Sequence, residues 1–305
     1  MQCHTGKPIQ IDLGSVPSRV EVFADGIVST TLFERDIAIS PDGNEIIFTL
    51  GDYRQSRRCL VRFVKVDGMW SKKEILSFSG RYHDIEPAFS VDGKKLFFAS
   101  NRPVGADSTR SDYNIWVSDR TGHTWGEPQP LMQEINSRQD EFYPSVSRNG
   151  NLYFTSVREN GVGSEDIFVS RWVDGSYLYP EPLDSAINTS TYEFNAYVTP
   201  DEDLIIFSSF GRKDDLGGGD LYYSRKDKFG NWKPALNMGP KVNSAYIDFC
   251  PFIDFQRGNF YFTSQRVIPS DAKLQSISEL EEYSNGVLNG MGNIFRVGLN
   301  EIEFD

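Results

Sequence analysis

Ser40-Pro41-Asp42-Gly43, followed by Glu45-Ile46-Ile47-Phe48, is one copy of a pattern that occurs five times in the 305-residue chain. Asp-Gly between two apolar stretches is typical of a tight β-hairpin turn, because both residues tolerate a positive φ angle. Each copy therefore predicts two antiparallel strands, here called A and B. Residues 42, 92, 149, 201 and 256 are equivalent, and the intervals between them are 50, 57, 52 and 55 residues. The other turns are Ser90-Val91-Asp92-Gly93, Ser147-Arg148-Asn149-Gly150, Thr199-Pro200-Asp201-Glu202 and Asp254-Phe255-Gln256-Arg257-Gly258.

Two further strands are predicted in each repeat. Strand C begins with Asp or Asn in four copies, and such a side chain can cap the preceding turn. Strand D follows a glycine turn and an aromatic residue, as in Gly122 and Trp125, and proline occurs near its outer end in three copies. Because proline cannot donate a hydrogen bond to a neighbouring strand, D is predicted to be the outermost strand. The predicted C strands are 59–62, 114–117, 166–169, 220–223 and 293–296.

The fifth repeat ends at strand C, near Gly298, and the sequence that resembles its missing strand D is Val20–Thr30, at the start of the chain. Pairing the two termini within one blade would close a ring of sheets and remove an open sheet edge. The sequence therefore predicts an all-β fold, a five-bladed β-propeller of four-stranded antiparallel blades closed by the N-terminal strand. Six blades are the alternative if residues 267–290 contain a degenerate repeat, although Ser276–Glu282 favours a B–C insertion with a short helical turn.

The repeats give the domain organisation directly. Residues 1–19 are predicted to be an N-terminal extension and residues 20–305 a single propeller domain, since closed all-β folds often exceed 200 residues. The predicted blades are 34–80, 84–137, 140–189, 192–244 and 247–300, the last completed by 20–30.

The chain has 43 acidic and 31 basic residues, a net charge of −12, which argues against nucleic-acid binding. No apolar run approaches the 18–20 residues or so of a membrane span. The three cysteines fit neither a disulfide framework nor a metal motif, and Cys3 is a candidate for lipid attachment. The N-terminus has no apolar signal-peptide core, so the chain is either cytoplasmic as given or has already lost its leader. A monomer is expected.

The repeat resembles the bacterial WD-like propeller family typified by the C-terminal domain of TolB, over roughly residues 20–300. The shared pattern is an acid, P-x-F/V-S-x-D/N-G, L-x-F-x-S-x-R and G-x-D-I-Y. The resemblance implies a periplasmic or secreted propeller of the bacterial envelope, and it implies no Tol-Pal role because the α/β domain of TolB has no counterpart here. It is carried in the second repeat by Asp84, Pro87, Phe89, Ser90, Asp92, Gly93, Phe98, Ser100 and Arg102.

An acid begins strand A in all five repeats, and an arginine follows strand B in all five. Strands A and B are antiparallel, so both positions are expected at the same face of the ring. A feature that every blade keeps is more economically structural than functional, and the sequence predicts five structural ion pairs. They are Glu34 with Arg54, Asp84 with Arg102, Glu141 with Arg158, Glu193 with Arg212 and Asp248 with Arg266.

Two residues after each acid, the residue type differs between blades, and this position is the better candidate for ligand contact. It is expected at the mouth of the central channel, on the face that carries the D–A connections and B–C loops. Aromatic and carboxylate groups at a channel mouth suit a carbohydrate or peptide ligand. With the neighbouring D–A residues, the candidates are Asp36, Tyr82, His83, Glu86, Asp140, Tyr143, Tyr192 and Asn195.

The leading functional prediction is a non-catalytic propeller of the bacterial cell envelope that binds a protein or glycan on this face, with no catalytic residue and no cofactor. The alternative is a glycan-active enzyme in which Asp36 and Glu86 act as a carboxylate pair. Asp214, Asp215 and Asp220, in a Gly-rich B–C loop, are a candidate calcium site, but a flexible turn is favoured because they lack EF-hand spacing.

Overall fold

Five antiparallel sheets form a closed ring in the computed structural model, which describes residues 8–105, 110–268 and 273–304. The innermost strands contact one another in chain order, and the fifth contacts the first. The predicted five-bladed β-propeller is therefore confirmed, and the six-bladed alternative is wrong. The stretch that would have held a sixth blade contains instead a short helix, Ile277–Ser284.

Strands A and B of each blade are the hairpins that the repeated turn predicts. The A strands line the axis, and the B strands are almost fully buried between neighbouring blades. The A strands are Phe33–Ile39, Asp84–Phe89, Glu141–Val146, Tyr192–Val198 and Asp248–Asp254. The B strands are Glu45–Gly51, Lys95–Ser100, Leu152–Ser156, Leu204–Phe210 and Asn259–Ser264.

Strand C is longer and strand D shorter than the pattern indicates. The C strands are Arg58–Val66, Asn114–Thr121, Asp166–Ser170, Asp220–Arg225 and Asn293–Gly298. Each pairs with a two-residue outer strand D, and these are Glu74–Ile75, Gln129–Pro130, Glu181–Pro182, Leu236–Asn237 and Glu21–Val22.

The glycine turn before strand D forms a separate small hairpin in three blades. Its strands are Met69–Trp70, Thr124–Trp125, Trp172–Val173 and Ser176–Tyr177. A single 3₁₀ turn, Leu299–Glu301, follows the last strand C.

The N-terminal strand completes the fifth blade, as predicted. Glu21 pairs with Arg296 and Val22 with Phe295, and the Phe23 amide donates to the carbonyl of Ile294 at 2.8 Å. Phe23 is 1% exposed, and its ring meets the edge of Tyr261 at 5.1 Å. Closure therefore combines main-chain pairing with an aromatic contact inside the core.

Residues 8–17 cross from blade 1 to blade 5 and pack against both. Ile11 and Leu13 are buried in the core cluster that contains Trp70, whose indole N–H donates to the Ile11 carbonyl at 2.9 Å. The side-chain amide of Asn259 donates to the carbonyls of Leu13 and Ser15. Part of the predicted extension is thus in contact with the propeller, while Cys3 lies outside the described residues.

The core lies between the blades rather than at the axis. One cluster, for example, joins Phe97 and Ile115 of blade 2 to Phe154 and Phe168 of blade 3. Burying such side chains contributes roughly 1.5–3 kcal/mol each, so every blade interface is a substantial apolar contact. Over the described ranges, no helix is long and apolar enough to cross a membrane.

Candidate functional site

Four of the five predicted acid–arginine pairs lie within ion-pair distance. Asp84, Glu141, Glu193 and Asp248 are all 0% exposed. The arginines also donate to carbonyls of the preceding blade, as Arg212 does to Ile187, and their guanidinium groups lie over aromatic rings. Each arginine therefore ties the acid of its own blade to the neighbouring blade. The Nη2–carboxylate distances are 2.5 Å for Arg102–Asp84, 3.0 Å for Arg158–Glu141, 3.0 Å for Arg212–Glu193 and 2.9 Å for Arg266–Asp248.

The fifth predicted pair, Glu34 with Arg54, does not form. Glu34 instead accepts hydrogen bonds from the Thr30 amide at 2.9 Å and from the Asn293 side chain at 3.2 Å. Arg54 lies in the loop after strand B, with its guanidinium 5.3 Å from the ring of Tyr53. The closing strand occupies this blade junction, so the acid is satisfied by uncharged donors from both termini.

Arg102→Ala is expected to lower the free energy of unfolding by about 3–5 kcal/mol, because it leaves a buried carboxylate without its counter-charge. Asp84→Asn is expected to lower the melting temperature as well, and neither change should alter ligand affinity. Thermal and urea denaturation measure the effect. Arg54→Ala is the matched control, and it should stay within about 0.5 kcal/mol of the parent protein. Equal effects at Arg102 and Arg54 would contradict a structural role for the pair.

The position two residues after each acid forms a ring around the axis. Asp36, Glu86, Tyr143, Asn195 and Cys250 have φ angles of 61°, 60°, 49°, 51° and 56°. The A–B register shifts by one β-bulge at this level in every blade. Such left-handed conformations are costly for residues other than glycine, and a bulge re-aims the side chain. The bulges turn the five variable side chains towards one another.

Hydroxyls of the preceding blade hold the ring backbone. The amides of Asp36, Glu86 and Asn195 donate to Thr263, Thr49 and Thr155, at 3.2, 2.9 and 3.0 Å. Blade 2 has Ala99 at the threonine position. The Tyr143 amide therefore donates to Oε2 of Glu86 instead, at 2.7 Å. One carboxylate oxygen of Glu86 therefore accepts a hydrogen bond from the main chain of the next blade.

Arg35 closes the centre of the ring. Its Nε lies 2.7 Å from Oδ2 of Asp36, and its Nη2 lies 2.7 Å from Oε1 of Glu86 and 3.6 Å from Sγ of Cys250. Its guanidinium also lies 5.1 Å from the centre of the Phe249 ring. The exposed fractions of Asp36 and Glu86 are 1% and 3%. The two carboxylates are thus buried and share one counter-charge, below the channel mouth at which they were predicted.

Burial controls the titration of this cluster. Loss of hydration raises the pKa of Glu86 to about 7, although the charge of Arg35 opposes the rise. Burial also raises the pKa of the Cys250 thiol and of the Tyr143 hydroxyl well above their ordinary values. Both therefore stay neutral, and Tyr143 donates its hydroxyl to the Pro251 carbonyl at 3.0 Å.

The predicted residues of the D–A connections lie apart from this ring. His83 contacts the Tyr113 hydroxyl at 3.1 Å and the Ser56 carbonyl at 3.0 Å, which joins two B–C loops. Asp140 accepts from the Tyr113 amide at 2.7 Å. Tyr192 is 42% exposed and packs against Phe210. These residues shape the D–A/B–C face, and they do not form one site with the ring.

Tyr82 and His83 line a cavity of about 540 Å³ on this face, between blades 1 and 2. The basic residues of its wall are Arg57, Arg58 and Arg81. Sequence reasoning missed these arginines because Arg57 and Arg58 have no counterparts in the other repeats, and Arg81 has only one, Arg138. Their concentration in two short stretches of an acidic chain is the signal that could have found them.

A second cavity, of about 350 Å³, opens on the opposite face between the A–B turns. Its wall includes Pro87, Pro144 and Pro251, each of which directly follows a residue of the ring, together with Tyr197 and Phe252. The recurrence of proline at this position in three blades was a signal in the sequence, but the functional prediction concerned the other face.

The three aspartates of the candidate calcium loop are engaged in local hydrogen bonds. Oδ1 of Asp214 and Oδ1 of Asp215 both accept from the Tyr222 hydroxyl, at 2.9 and 2.8 Å. Asp220 accepts from the Leu216 amide and from the Asn237 side chain, both at 2.7 Å. Within the described part of the chain, no group of three or more acidic, histidine or cysteine side chains is arranged to hold a metal ion.

Stability should fall as the pH rises from about 4.5 to 7. Burial raises the pKa of Glu141 to about 7 from an ordinary value of 4.5. Between these values the folded chain binds more protons than the unfolded chain, so raising the pH favours unfolding. Glu141→Gln is expected to remove up to about 1.4 kcal/mol per pH unit of this slope in urea titrations at pH 5–7. The exposed-site control Asp92→Asn should leave the slope unchanged, and an unchanged slope in Glu141→Gln would contradict the assignment.

No protein-family model and no curated protein sequence matches the chain. Solved structures share its fold, which is the class of the five-bladed β-propeller. A putative TolB from Agrobacterium tumefaciens is 17% identical, with 80% of this chain and 73% of that chain covered and a TM-score of 0.48. The α-L-arabinofuranosidase PaAbf62A from Podospora anserina, in complex with cellotriose, is 11% identical over 93% and 98%, with a TM-score of 0.51. A glycoside hydrolase is 8% identical over 93% and 92%, with a TM-score of 0.58. Identities this low show the fold alone.

Proposed function

We propose that the chain is a non-catalytic binding propeller of the bacterial envelope, which holds a glycan or protein ligand on its D–A/B–C face. The Arg35 cluster is the observation that carries this proposal. Asp36 and Glu86 are the carboxylates that hydrolysis would require, and both are buried against one guanidinium. The oxygens of Glu86 are engaged by Arg35 and by the Tyr143 amide, which favours a structural role over proton transfer to a ligand. The location in the envelope rests on the resemblance of the repeats.

The D–A/B–C face supplies what a binding site needs. It has a concave pocket of about 540 Å³, which is within the usual range of ligand sites. Beside the pocket, Tyr53 is 64% exposed, and Tyr192 and Phe210 form an exposed aromatic pair further around the ring. Rigid aromatic groups near polar loops are common in binding surfaces, because they give contact area at little entropic cost.

A binding screen with variants on opposite faces tests the proposal. The parent protein would be titrated with soluble plant and bacterial polysaccharides and with a peptide library, using a fluorescent label on each probe. Tyr192→Ala changes the proposed face, and Phe255→Ala, which removes an aromatic ring that is 53% exposed, changes the A–B face. Loss of affinity only in Tyr192→Ala supports the proposal. Loss only in Phe255→Ala would assign the ligand to the opposite cavity and would overturn it.

A glycan-active enzyme is the second candidate, because Glu86 also lines the cavity of about 350 Å³ and burial raises its pKa. A carboxyl group with a pKa of about 7 beside a second carboxylate is suited to act as a general acid. Incubation with the same polysaccharides, followed by assay of released reducing ends, separates the two functions. Release that Glu86→Gln abolishes would establish the enzyme, whereas binding without release supports the binding propeller.

A further inference from the structure

Seven of the 19 arginines make no ion pair with a carboxylate in the part of the chain that the structure describes. In a chain with a net charge of −12, most arginines do find such a partner. Four of the seven lie close together, in the B–C loop of blade 1, at the start of its strand C and in the D–A connection that follows the blade. The seven are Arg19, Arg54, Arg57, Arg58, Arg81, Arg138 and Arg171.

Three of these arginines line the pocket between blades 1 and 2. Arg57 and Arg81 are exposed, and Arg58 is partly buried. The only acid of the pocket wall is Asp52, whose oxygens accept from the Ser56 amide at 2.7 Å, from the Ser56 hydroxyl and from the Arg57 amide at 3.4 Å. Asp52 therefore fixes the loop that carries two of the arginines. The pocket wall as a whole has an excess of positive charge.

Arg58 is the most constrained of the three. Its Nε is buried without a hydrogen-bond acceptor in the protein, and its guanidinium lies 5.6 Å from the Tyr113 ring. The contact between His83 and the Tyr113 hydroxyl fixes that ring. Glu86, which the charge of Arg58 also influences, is already engaged by Arg35. Arg158 and Arg266 also have a buried Nε without an acceptor, but each has a carboxylate partner, whereas Arg58 has none among the described residues. A bound anion is one way to compensate Arg58.

We propose that this pocket binds an acidic sugar through its carboxylate, with Arg57, Arg58 and Arg81 as the guanidinium donors. This inference rests on the proposed binding function and names its ligand class. Guanidinium groups recognise carboxylates with paired, charge-assisted hydrogen bonds. The pocket wall also contains Leu32 and Ile75, 42% and 54% exposed, which suit the apolar face of a sugar ring.

The shape of the pocket favours a sugar over a protein surface. A stable protein interface buries roughly 800 Å² on each partner and has few charged residues at its centre. Here the charged groups line a concave pocket, and its volume of about 540 Å³ is that of a small-ligand site.

Calorimetric titration with trigalacturonate at low ionic strength tests the proposal. The parent protein should bind it, and should bind its fully methyl-esterified form at least tenfold more weakly. Arg57→Gln combined with Arg81→Gln should weaken binding at least tenfold. The charge-matched control, Arg138→Gln with Arg171→Gln, should stay within twofold. Arg58→Gln should also weaken binding at least tenfold, with its melting temperature measured to confirm folding.

Absence of trigalacturonate binding, equal binding of the ester or equal losses in pocket and control variants would each overturn the proposal. Tighter binding of hexaglutamate, lost in the same pocket variants, would assign the site to an acidic protein segment and would also overturn it. Binding of a neutral glycan that is lost in Tyr192→Ala but kept in the arginine variants would overturn the acidic-sugar proposal. The proposal of a binding propeller would still hold. If no substitution on the D–A/B–C face weakens the binding of any probe, both proposals fail.

Discussion

Arg35→Met is expected to lower the free energy of unfolding by about 3–5 kcal/mol, because it leaves two buried carboxylates without a counter-charge. Asp36 and Glu86 each lie 2.7 Å from the guanidinium and are at most 3% exposed. Methionine keeps much of the aliphatic volume that packs beside Phe249, so the loss reports charge rather than a cavity. Urea denaturation at pH 8, where an isolated carboxyl group is ionised, measures it.

The matched control replaces the whole charged cluster with uncharged groups of similar shape. Arg35→Met combined with Asp36→Asn and Glu86→Gln should recover most of the lost stability, since no buried charge remains. The single variant should also lose less at pH 5 than at pH 8. Glu86 is then largely protonated, because burial already raises its pKa to about 7, and one of the two unpaired charges is removed. A loss that does not depend on pH, or that persists in the triple variant, would show that Arg35 does not act through these carboxylates.

The sequence predicted that Asp36 and Glu86 occupy equivalent positions of neighbouring blades, but at the channel mouth and not in a buried cluster with Arg35. The repeat alignment placed Asp36 and Glu86 at one level of the channel, because the turn, strand lengths and bulge recur in every blade. Arg35 was overlooked, although the equivalent positions hold Ile85, Phe142, Phe194 and Phe249. A single charged residue at an otherwise apolar repeat position is a signal for a buried counter-ion. The ion pair between Arg35 and Glu86 joins two neighbouring blades. It is a tertiary contact, so no local sequence pattern predicts it.

The blades were predictable because their strands pair with neighbours close in sequence. Each A–B turn and each C strand depends on local turn chemistry and apolar alternation. The exceptions occur at the ring closure. Glu34 was assigned Arg54 by analogy with the other blades, but its partners come from the closing strand segment and from Asn293. Analogy between blades fails at this junction, because the outer strand of the fifth blade comes from the N-terminal segment and not from the same repeat.

The segment 8–17 could not be predicted, because it has no counterpart in the repeats and forms no regular strand. Its carbonyls accept from side chains far away in sequence, including Trp70, Asn259 and Arg296. The Gly298 amide also donates to the Pro17 carbonyl at 2.8 Å. A sequence read for periodicity gives no weight to a short irregular stretch. Its contribution to stability is seen only from the buried side chains that it contacts, such as Trp70.

Ile11→Ala and Leu13→Ala are each expected to lower the free energy of unfolding by about 2–5 kcal/mol. Both side chains are buried, at 6% and 7% exposed, in the cluster that joins blade 1 to blade 5. Their truncation loses apolar burial and leaves a cavity beside Trp70. It also loosens a segment that satisfies the Trp70 indole, and a buried donor without an acceptor adds a further cost. Denaturation followed by tryptophan fluorescence measures the effect.

Val16→Ala is the control within the same segment, because Val16 is 48% exposed. It should stay within about 0.5 kcal/mol of the parent protein. Trp70→Phe separates the two contributions, since it keeps most of the apolar contact and removes the hydrogen bond to Ile11. It should cost about 1 kcal/mol or slightly more for the lost bond. If Ile11→Ala matches Val16→Ala, residues 8–17 do not hold the two blades together, and the terminal strand Glu21–Val22 alone must close the ring.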